Sequence, residues 1–286
     1  RDVIGVYEGL VLADIADAAD ILRPVYDRTG GIDGFVSLEV NPKLAFDTQG
    51  TIAEARRLFS QLKRPNVFIK VPATHEGIPA VETLIGEGIN VNVTLIFALD
   101  MYERVMRAYL NGLKHLAASG GDLRRVASVA SFFVSRVDTL VDKLLGERQA
   151  AGATVNDLPG RAAVANARLA YARFERVFDP QGEFGDLARR GARVQRPLWA
   201  STSTKNPAYP DTKYVDDLGG PDTVNTLPPE TIGAVLDHGR TEVTVRNGIA
   251  EARALVDRLG KLGIYMGAVT DRLTVEGVKA FAQSFD

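Results

Sequence analysis

Residues 66–95 read NVFIKVPATHEGIPAVETLIGEGINVNVTL, and this stretch indicates the fold. It opens with an apolar run, Asn66 to Val71, and it closes with a second run, Asn90 to Leu95, in which polar and apolar residues alternate. Runs of this length that are rich in β-branched residues are typical of strands. The segment between them is long enough to form the crossover that two parallel strands require. The stretch therefore predicts a strand–crossover–strand unit with a lysine, Lys70, inside its first strand.

The same alternation continues along the chain. Four further strand-like runs lie at residues 35–40, 126–131, 194–199 and 222–226, which makes six in all. Between the runs, apolar residues recur at helical spacing in stripes at residues 52–62, 102–116, 137–145 and 164–178. Thr51 and Glu54 are spaced as a capping box at the start of the first stripe, and Gly120 with Gly121 closes the second. Alternating strands and helices predict an α/β protein with a parallel sheet.

The strand count bears on the architecture. A (β/α)8 TIM barrel needs eight strands, whereas six strands would suit a doubly wound open sheet, and periodicity alone does not decide between them. We expect one domain over residues 1–286, with a helical insertion at about 147–191 and C-terminal helices at about 246–286. If the fold is a barrel, two βα units are expected before Arg1, so that the first two strands are missing from this sequence.

Composition excludes several classes of function. The 286 residues carry a net charge of -2 and a pI near 6.0, so no general basic field is available to bind nucleic acid or an anionic membrane surface. The absence of cysteine excludes disulfides, thiolate catalysis and Cys-based zinc sites, and three dispersed histidines make a metal cluster unexpected. We expect a cytoplasmic protein that meets any substrate phosphate with a few placed cations.

Lys70 is the first candidate for chemistry. A charged ammonium within an apolar strand loses its hydration unless it releases its proton or finds a partner. The neutral amine of a lysine is the nucleophile that forms Schiff bases with ketones. The structural alternative is that Lys70 extends to solvent from the strand end or pairs with Glu39.

Glu39 lies in an alternating strand, as do Asn92 and Thr94. Alternation places Ser37 and Glu39 on one face of their strand, and Asn92 and Thr94 on one face of theirs. A carboxylate that faces the interior is either a salt-bridge partner or a proton carrier. Inward-facing Asn92 and Thr94 could bind a substrate or a water molecule, or they could simply fill a layer of the barrel.

A candidate anion clamp follows two later strands. Arg136, Ser203 and Lys205 offer two cations and a hydroxyl, which match the charge and the acceptor oxygens of a phosphate. The alternative for each cation taken alone is an ordinary surface residue. Lys205 is also a rival for Schiff-base formation, although its hydroxyl-rich surroundings favour the charged form.

Several ordered blocks resemble the transaldolase family. The block Ile69 to Ala80 looks like the active-site lysine signature of that family. Four further blocks agree in the same order along the chain, at residues 37–40, 90–97, 131–136 and 196–207. Agreement extends from about Leu10 to Phe285, and the longer bacterial type of transaldolase is the most similar.

The resemblance implies a TIM-barrel enzyme that needs no metal or organic cofactor, and it implies a role for each candidate residue. Lys70 would form the Schiff base with a ketose phosphate, either sedoheptulose 7-phosphate or fructose 6-phosphate. The three-carbon unit would then pass to an aldose phosphate, either glyceraldehyde 3-phosphate or erythrose 4-phosphate. The reaction belongs to the pentose phosphate pathway. By the same resemblance, Glu39 and Thr94 would hold the water molecule that transfers protons. Asn92 and Ser131 would bind the donor hydroxyls, and Phe133 would form a wall of the site. The phosphate would be bound by Arg136, Ser203 and Lys205.

The sequence also departs from the family pattern. Members carry an acid/base aspartate on the first barrel strand and a Thr-Thr-Asn-Pro type motif on the second, and neither is present here. We therefore expect an N-terminally incomplete stretch that would not turn over by itself. Some members of this type are fused to a glucose 6-phosphate isomerase domain, so fusion to or association with such a domain stays open. The alternative functions are a non-catalytic sugar-phosphate binding protein and an aldolase that acts on fructose 6-phosphate.

Overall fold

The computed structural model describes residues 3–285. The first and last residues of the expected domain, Arg1 and Asp286, therefore lie outside the described residues. The strands are β1 (Val36–Glu39), β2 (Val67–Pro72), β3 (Val91–Ile96), β4 (Ser128–Phe133), β5 (Arg196–Ala200) and β6 (Val224–Asn225). The helices are α1 (Val3–Arg28), α2 (Thr48–Leu62), α3 (Gly77–Gly86), α4 (Leu99–Ala118), α5 (Ser135–Ala150), α6 (Ala162–Val177), α7 (Gly185–Arg189), α8 (Lys213–Asp216), α9 (Pro229–His238), α10 (Ile249–Lys261) and α11 (Met266–Phe285). All six predicted strands are confirmed, with bounds that differ by one or two residues.

The strands form one parallel sheet in the order β1-β2-β3-β4-β5-β6. A doubly wound sheet reverses its strand order at a switch point, whereas this order never reverses. The sheet is curled, and the fold is of the α/β, TIM-barrel-like class. Within residues 3–285, β1 and β6 do not pair with each other, so the described part is an open barrel of six strands. Closure by eight strands stays a prediction.

Two arginines tie the first edge of the sheet to the last. The guanidinium of Arg193, before β5, donates to the carbonyls of Gly30 and Gly31 in the turn before β1. Arg196 donates to the carboxylate of Asp33 over 2.9 Å and to the carbonyl of Thr223, before β6, over 3.3 Å. These contacts hold the two edges around a shared interior at the amino ends of the strands.

Strand alternation separates the cavity side of the sheet from the helix side. Phe132 of β4 is fully buried and makes edge contacts with Tyr102 of α4, at 5.6 Å between ring centroids, and with Trp199 of β5, at 6.2 Å. Its neighbours Ser131 and Phe133 point the opposite way and line an interior cavity. Burial of large aromatic rings on the helix side stabilises the sheet, and it leaves the other face free for polar groups.

The predicted start of the first helical stripe is wrong. Helix α2 begins at Thr48, and its N-cap is Asp47, whose carboxylate accepts a hydrogen bond from the Gly50 amide over 2.9 Å. Thr51 lies inside the helix, and its hydroxyl donates to the Leu44 carbonyl. An aspartate caps a helix as well as a threonine does, so the pattern allowed both starts. Helix α4 contains the second stripe and ends at Ala118, just before Gly120, and α6 and α7 lie within residues 147–191.

Among the helices described between Val3 and Phe285, none combines the length and the apolar character needed to cross a membrane. In the same range, His, Asp and Glu side chains form no group of three that could hold a metal ion.

Asn90 joins three chain segments at the amino ends of the strands, and we predict that it is important for stability. Its buried amide donates to the carbonyls of Pro65 and Val67 and accepts from the Ala127 amide over 2.9 Å. Asn90→Ala should lower the free energy of unfolding by about 3 kcal/mol, because buried backbone groups lose their partners. Urea unfolding measures this, with Asn111→Ala, which removes one partly buried bond, as the control. Equal effects of the two substitutions would contradict the prediction.

Candidate active site

Glu39, Lys70 and Asn92 lie in one row across three neighbouring strands. Glu39 is in register with Lys70, and Lys70 is in register with Asn92. Side chains at matching positions of a parallel sheet point to the same face, so the three groups converge. The Nζ atom of Lys70 is 3.6 Å from Oε2 of Glu39, and the two side chains are 24% and 27% exposed. The lysine therefore pairs with the carboxylate and also stays accessible to a small molecule.

The interior of the open barrel contains a cavity of about 480 Å³. The candidate residues that line this cavity are Lys70, Asn92, Thr94, Ser131 and Phe133. They come from three different strands, and sequence alternation correctly predicted that Asn92 and Thr94 share a face. The cavity is large enough for a sugar phosphate.

A hydrogen-bonded chain fixes the amide of Asn92. Its Nδ2 donates to the Ser37 hydroxyl over 3.1 Å, and its Oδ1 accepts from the Ser131 hydroxyl over 2.7 Å. These partners hold the amide in one orientation, so its second N–H is directed by the protein. Asn92 and Ser131 therefore act as one unit, which suits recognition of a sugar hydroxyl.

The Thr94 side chain lines the same cavity and has a free hydroxyl. It is fully buried, and its Oγ1 has no hydrogen-bond partner among the described residues. The backbone next to it is unusual: Leu95 has φ of 61°, and the pairing of β3 with β4 shifts register between Val93 and Ile96. Such bulges change the direction of a side chain at the end of a strand. A buried hydroxyl without a partner costs free energy, which a ligand or a water molecule would recover.

Phe133 forms an apolar wall at the carboxyl end of β4. It is 6% exposed and packs on Phe97, with 5.1 Å between the ring centroids. The guanidinium of Arg136 lies over the ring of Phe133, at 5.2 Å from its centroid. The ring of Phe133 therefore makes a cation–π contact with Arg136 and also bounds the cavity.

The three residues of the predicted clamp lie at the same end of the sheet as Lys70. Lys205 donates to the Ser203 hydroxyl over 2.6 Å, so these two side chains are in contact. Arg136 lies in the first turn of α5, and the preceding residue, Ser135, bonds through its backbone amide and its hydroxyl to Ser201. The start of α5 is thus joined to the loop that carries Ser203 and Lys205. Among the described residues, no hydrogen bond links Arg136 to those two side chains.

The environment of Glu39 is tuned by two opposing effects. Burial raises the pKa of Glu39 above its ordinary value, and the charge and hydrogen bond of Lys70 offset part of this increase. A carboxyl group that holds its proton more strongly than usual, next to an amine, is suited to pass protons during imine formation. The sequence left open whether Glu39 is an ion-pair partner or a proton carrier, and the contact with Lys70 is compatible with both.

Two features near the site were not identified from the sequence. The ring of Phe281 in α11 lies beside Lys70, with 5.4 Å between its centroid and Nζ. Arg196 lines the interior cavity from β5. Both are far from Lys70 along the chain. Arg196 opens the block 196–207 and Phe281 lies in an apolar stripe, but neither pattern indicates a place in the site. His75 lies outside this group and contacts Arg104.

Comparison with known proteins gives one consistent result. The family model described as Transaldolase/Fructose-6-phosphate aldolase matches residues 1–286. A protein from Thermobifida fusca named Transaldolase is 53% identical over 274 residues, which cover 96% of this chain and 74% of the relative. A Transaldolase from a Parafrankia species is 51% identical over 287 residues, covering 100% of this chain and 77% of the relative, and Transaldolase 2 from a Nostoc species is 47% identical over 98% and 76%.

The site and the comparisons agree with the resemblance seen in the sequence blocks. A lysine at the carboxyl end of a barrel-type strand, with a carboxylate 3.6 Å away and a polar cavity in front of it, is the arrangement that lysine-dependent aldol chemistry needs. Identity near 50% extends over nearly the whole chain. The chain therefore belongs to the transaldolase/fructose-6-phosphate aldolase family.

Proposed function

We propose that this protein is a transaldolase that carries a dihydroxyacetone unit on Lys70. The donor is a ketose phosphate, sedoheptulose 7-phosphate or fructose 6-phosphate, and the acceptor is glyceraldehyde 3-phosphate or erythrose 4-phosphate. The observation that carries the proposal is the amine of Lys70 in a polar cavity, 3.6 Å from Glu39. The names of the relatives, which are transaldolases, support it.

The first steps join the substrate to the enzyme. The neutral amine of Lys70 attacks the ketone carbon and forms a carbinolamine, which loses water to give the protonated imine. Glu39 and a water bound at the Thr94 hydroxyl transfer the protons that these steps require. The raised pKa of Glu39 favours this role because the carboxyl group can hold a proton and release it again.

Carbon–carbon cleavage follows, with the protonated imine as the electron sink. The bond between C3 and C4 of the ketose breaks, the aldose phosphate leaves, and an enamine of three carbons stays on Lys70. Asn92 and Ser131 hold donor hydroxyls in this scheme, and Phe133 bounds the site. The resemblance assigns proton removal from the C4 hydroxyl to an aspartate that is not part of this sequence. Attack of the enamine on the acceptor aldehyde reverses these steps.

Product analysis distinguishes this proposal from its two alternatives. The full-length protein is incubated with fructose 6-phosphate and erythrose 4-phosphate, and we expect sedoheptulose 7-phosphate and glyceraldehyde 3-phosphate to form. An aldolase would release free dihydroxyacetone from fructose 6-phosphate without an acceptor. A binding protein would bind the sugar phosphates and convert neither.

The phosphate clamp gives a separate prediction for Lys205. Lys205→Ala should raise KM for fructose 6-phosphate by roughly 10- to 100-fold, because a hydrogen bond to a charged group contributes about 1.5–3 kcal/mol. The value of kcat/KM for unphosphorylated fructose should stay the same. Lys143→Ala, which removes an exposed lysine of α5, is the control with the same change in charge. Equal losses with both sugars would show that Lys205 does not bind phosphate.

The wider setting is also part of the proposal. A transaldolase with these substrates acts in the pentose phosphate pathway, and we place this protein in the cytoplasm. Association with a glucose 6-phosphate isomerase domain stays a prediction from the resemblance, and the relatives compared above are named for transaldolase alone.

A further inference from the structure

Helix α11 brings an aromatic ring to the reacting amine from the far end of the chain. The ring centroid of Phe281 is 5.4 Å from Nζ of Lys70, a distance at which a cation and a ring attract each other. A water molecule at that position would hydrate the amine, so the ring takes the place of solvent on this side. The side chain is partly buried.

The packing of α11 fixes the position of this ring. Val269, Leu273 and Val278 are buried, which anchors the helix along one face. Gly277 allows a close approach to the end of β3, since a Cβ atom there would lie 3.1 Å from Cδ2 of Leu95. Phe281 is one helical turn beyond Gly277, and the two therefore lie on the same face of α11.

A second cavity meets the Glu39 side of the ion pair. Its volume is about 350 Å³, and its lining includes Glu39 and Arg136 from the barrel and Phe281 from α11. Lys70 lines the first cavity, and Glu39 lines the second. The ion pair thus lies between the two cavities, and Phe281, which lines the second cavity, is an apolar group beside it. Truncation of its side chain would open the amine to the second cavity.

Access of water at this point decides between two products. The enamine on Lys70 can attack an acceptor aldehyde, which forms a carbon–carbon bond and the imine of the new ketose phosphate, and water then hydrolyses this imine to release the product. It can instead take a proton on carbon and become the protonated imine. Water then adds to the C=N bond, the C–N bond breaks, and free dihydroxyacetone and the lysine ammonium are released. Both routes therefore consume one water molecule at the lysine when the final imine is hydrolysed, but only the second protonates the enamine carbon before an acceptor aldehyde has reacted.

We propose that Phe281 is a specificity-determining residue, which keeps water from the three-carbon enamine, slows its protonation on carbon, and so favours transfer over release of free dihydroxyacetone. This inference rests on the proposed function and adds a residue of α11 to the site. The same residue would be irrelevant to partition if α11 served only to stabilise the barrel.

The test measures the ratio of free dihydroxyacetone to transferred dihydroxyacetone, with fructose 6-phosphate as donor and erythrose 4-phosphate as acceptor. Phe281→Ala should raise this ratio by about tenfold, since closing a site against water is expected to change the partition by at least about 1.4 kcal/mol. Phe281→Leu keeps an apolar cover and should stay within about twofold of the wild type. Val275→Ala, on the exposed face of α11, is the matched control and should not change the ratio.

A second variant keeps the test decisive if Phe281→Ala does not fold. Phe281→Gln retains a long side chain and good helix propensity, but it places a polar amide beside the amine, so the ratio should also rise. Unchanged ratios in folded Phe281→Ala or Phe281→Gln, even with a lower total rate, would overturn the inference. Failure of the wild type to transfer at all would instead overturn the proposed function.

Discussion

Lys70→Ala is expected to abolish covalent capture of the ketose and to lower kcat/KM by at least about 10⁴-fold, because the nucleophile of the reaction is lost. Borohydride reduces an imine to a stable amine, so treatment of the wild type with fructose 6-phosphate should add the mass of the reduced sugar fragment. Peptide mapping should locate this mass on Lys70. The structural reason is that the amine faces the cavity and lies 3.6 Å from the carboxylate of Glu39.

Two matched variants separate the amine from its charge. Lys70→Arg keeps a cation beside Glu39 but cannot form an imine, so it should be as inactive as Lys70→Ala. Lys205→Ala should still give the adduct, because Lys205 contacts Ser203 and does not line the cavity that holds Lys70. An adduct on Lys205, or one that persists in Lys70→Ala, would show that the assignment of the nucleophile is wrong.

Glu39→Gln is the second substitution with a large expected effect. It should slow formation of the Schiff base by roughly 100-fold, because general acid–base catalysis contributes about 10² to 10⁴ in rate. The substrate should still bind, since Asn92 and Ser131 keep their hydrogen bonds. Single-turnover measurement of imine trapping isolates this step from carbon–carbon cleavage. A rate equal to that of the wild type would leave Glu39 only the role of an ion-pair partner.

The same variant has an expected effect on stability as a function of pH. Burial raises the pKa of Glu39, so the folded protein holds this proton at pH values where the unfolded chain has released it. The contribution of Glu39 to the free energy of unfolding is therefore greatest at low pH and falls as pH rises above the ordinary range of a glutamate. Urea unfolding of the wild type and of Glu39→Gln should show that the wild type loses stability relative to the variant over this window. A difference that is constant with pH would contradict the direction of the shift.

Much of the site could be predicted from local patterns. Period-two alternation placed Glu39, Asn92 and Thr94 on interior faces, and the structure has them there. Strand ends could be estimated within two residues because the apolar or alternating pattern of a strand stops at those points. The start of α2 was wrong because Asp47 and Thr51 are both good caps, and only the packing of Thr51 against the Leu44 carbonyl distinguishes them.

Other features depended on contacts between distant parts of the chain. The bulge at Leu95, next to the free hydroxyl of Thr94, could not be predicted from the sequence, because leucine rarely adopts a positive φ. The contact of Phe281 with Lys70 likewise has no motif, since a phenylalanine in an apolar stripe reads as an ordinary core residue. The hydrogen bonds from Arg193 and Arg196 to the turn before β1 also join residues that are far apart in sequence, so no local pattern predicts them.

The sequence by itself determined which segments become strands, which become helices, and which side chains face inward, because these properties follow from periods of two and 3.6 residues within single segments. It also presented the lysine and its polar neighbours in an order that resembles one family. Only the tertiary structure decided that the strands follow one another without reversal, that Lys70 meets Glu39, and that α11 returns to cover the amine. Those outcomes depend on how helices and strands pack together. Packing brings together residues that are far apart in sequence, and no local sequence pattern indicates which of them will meet.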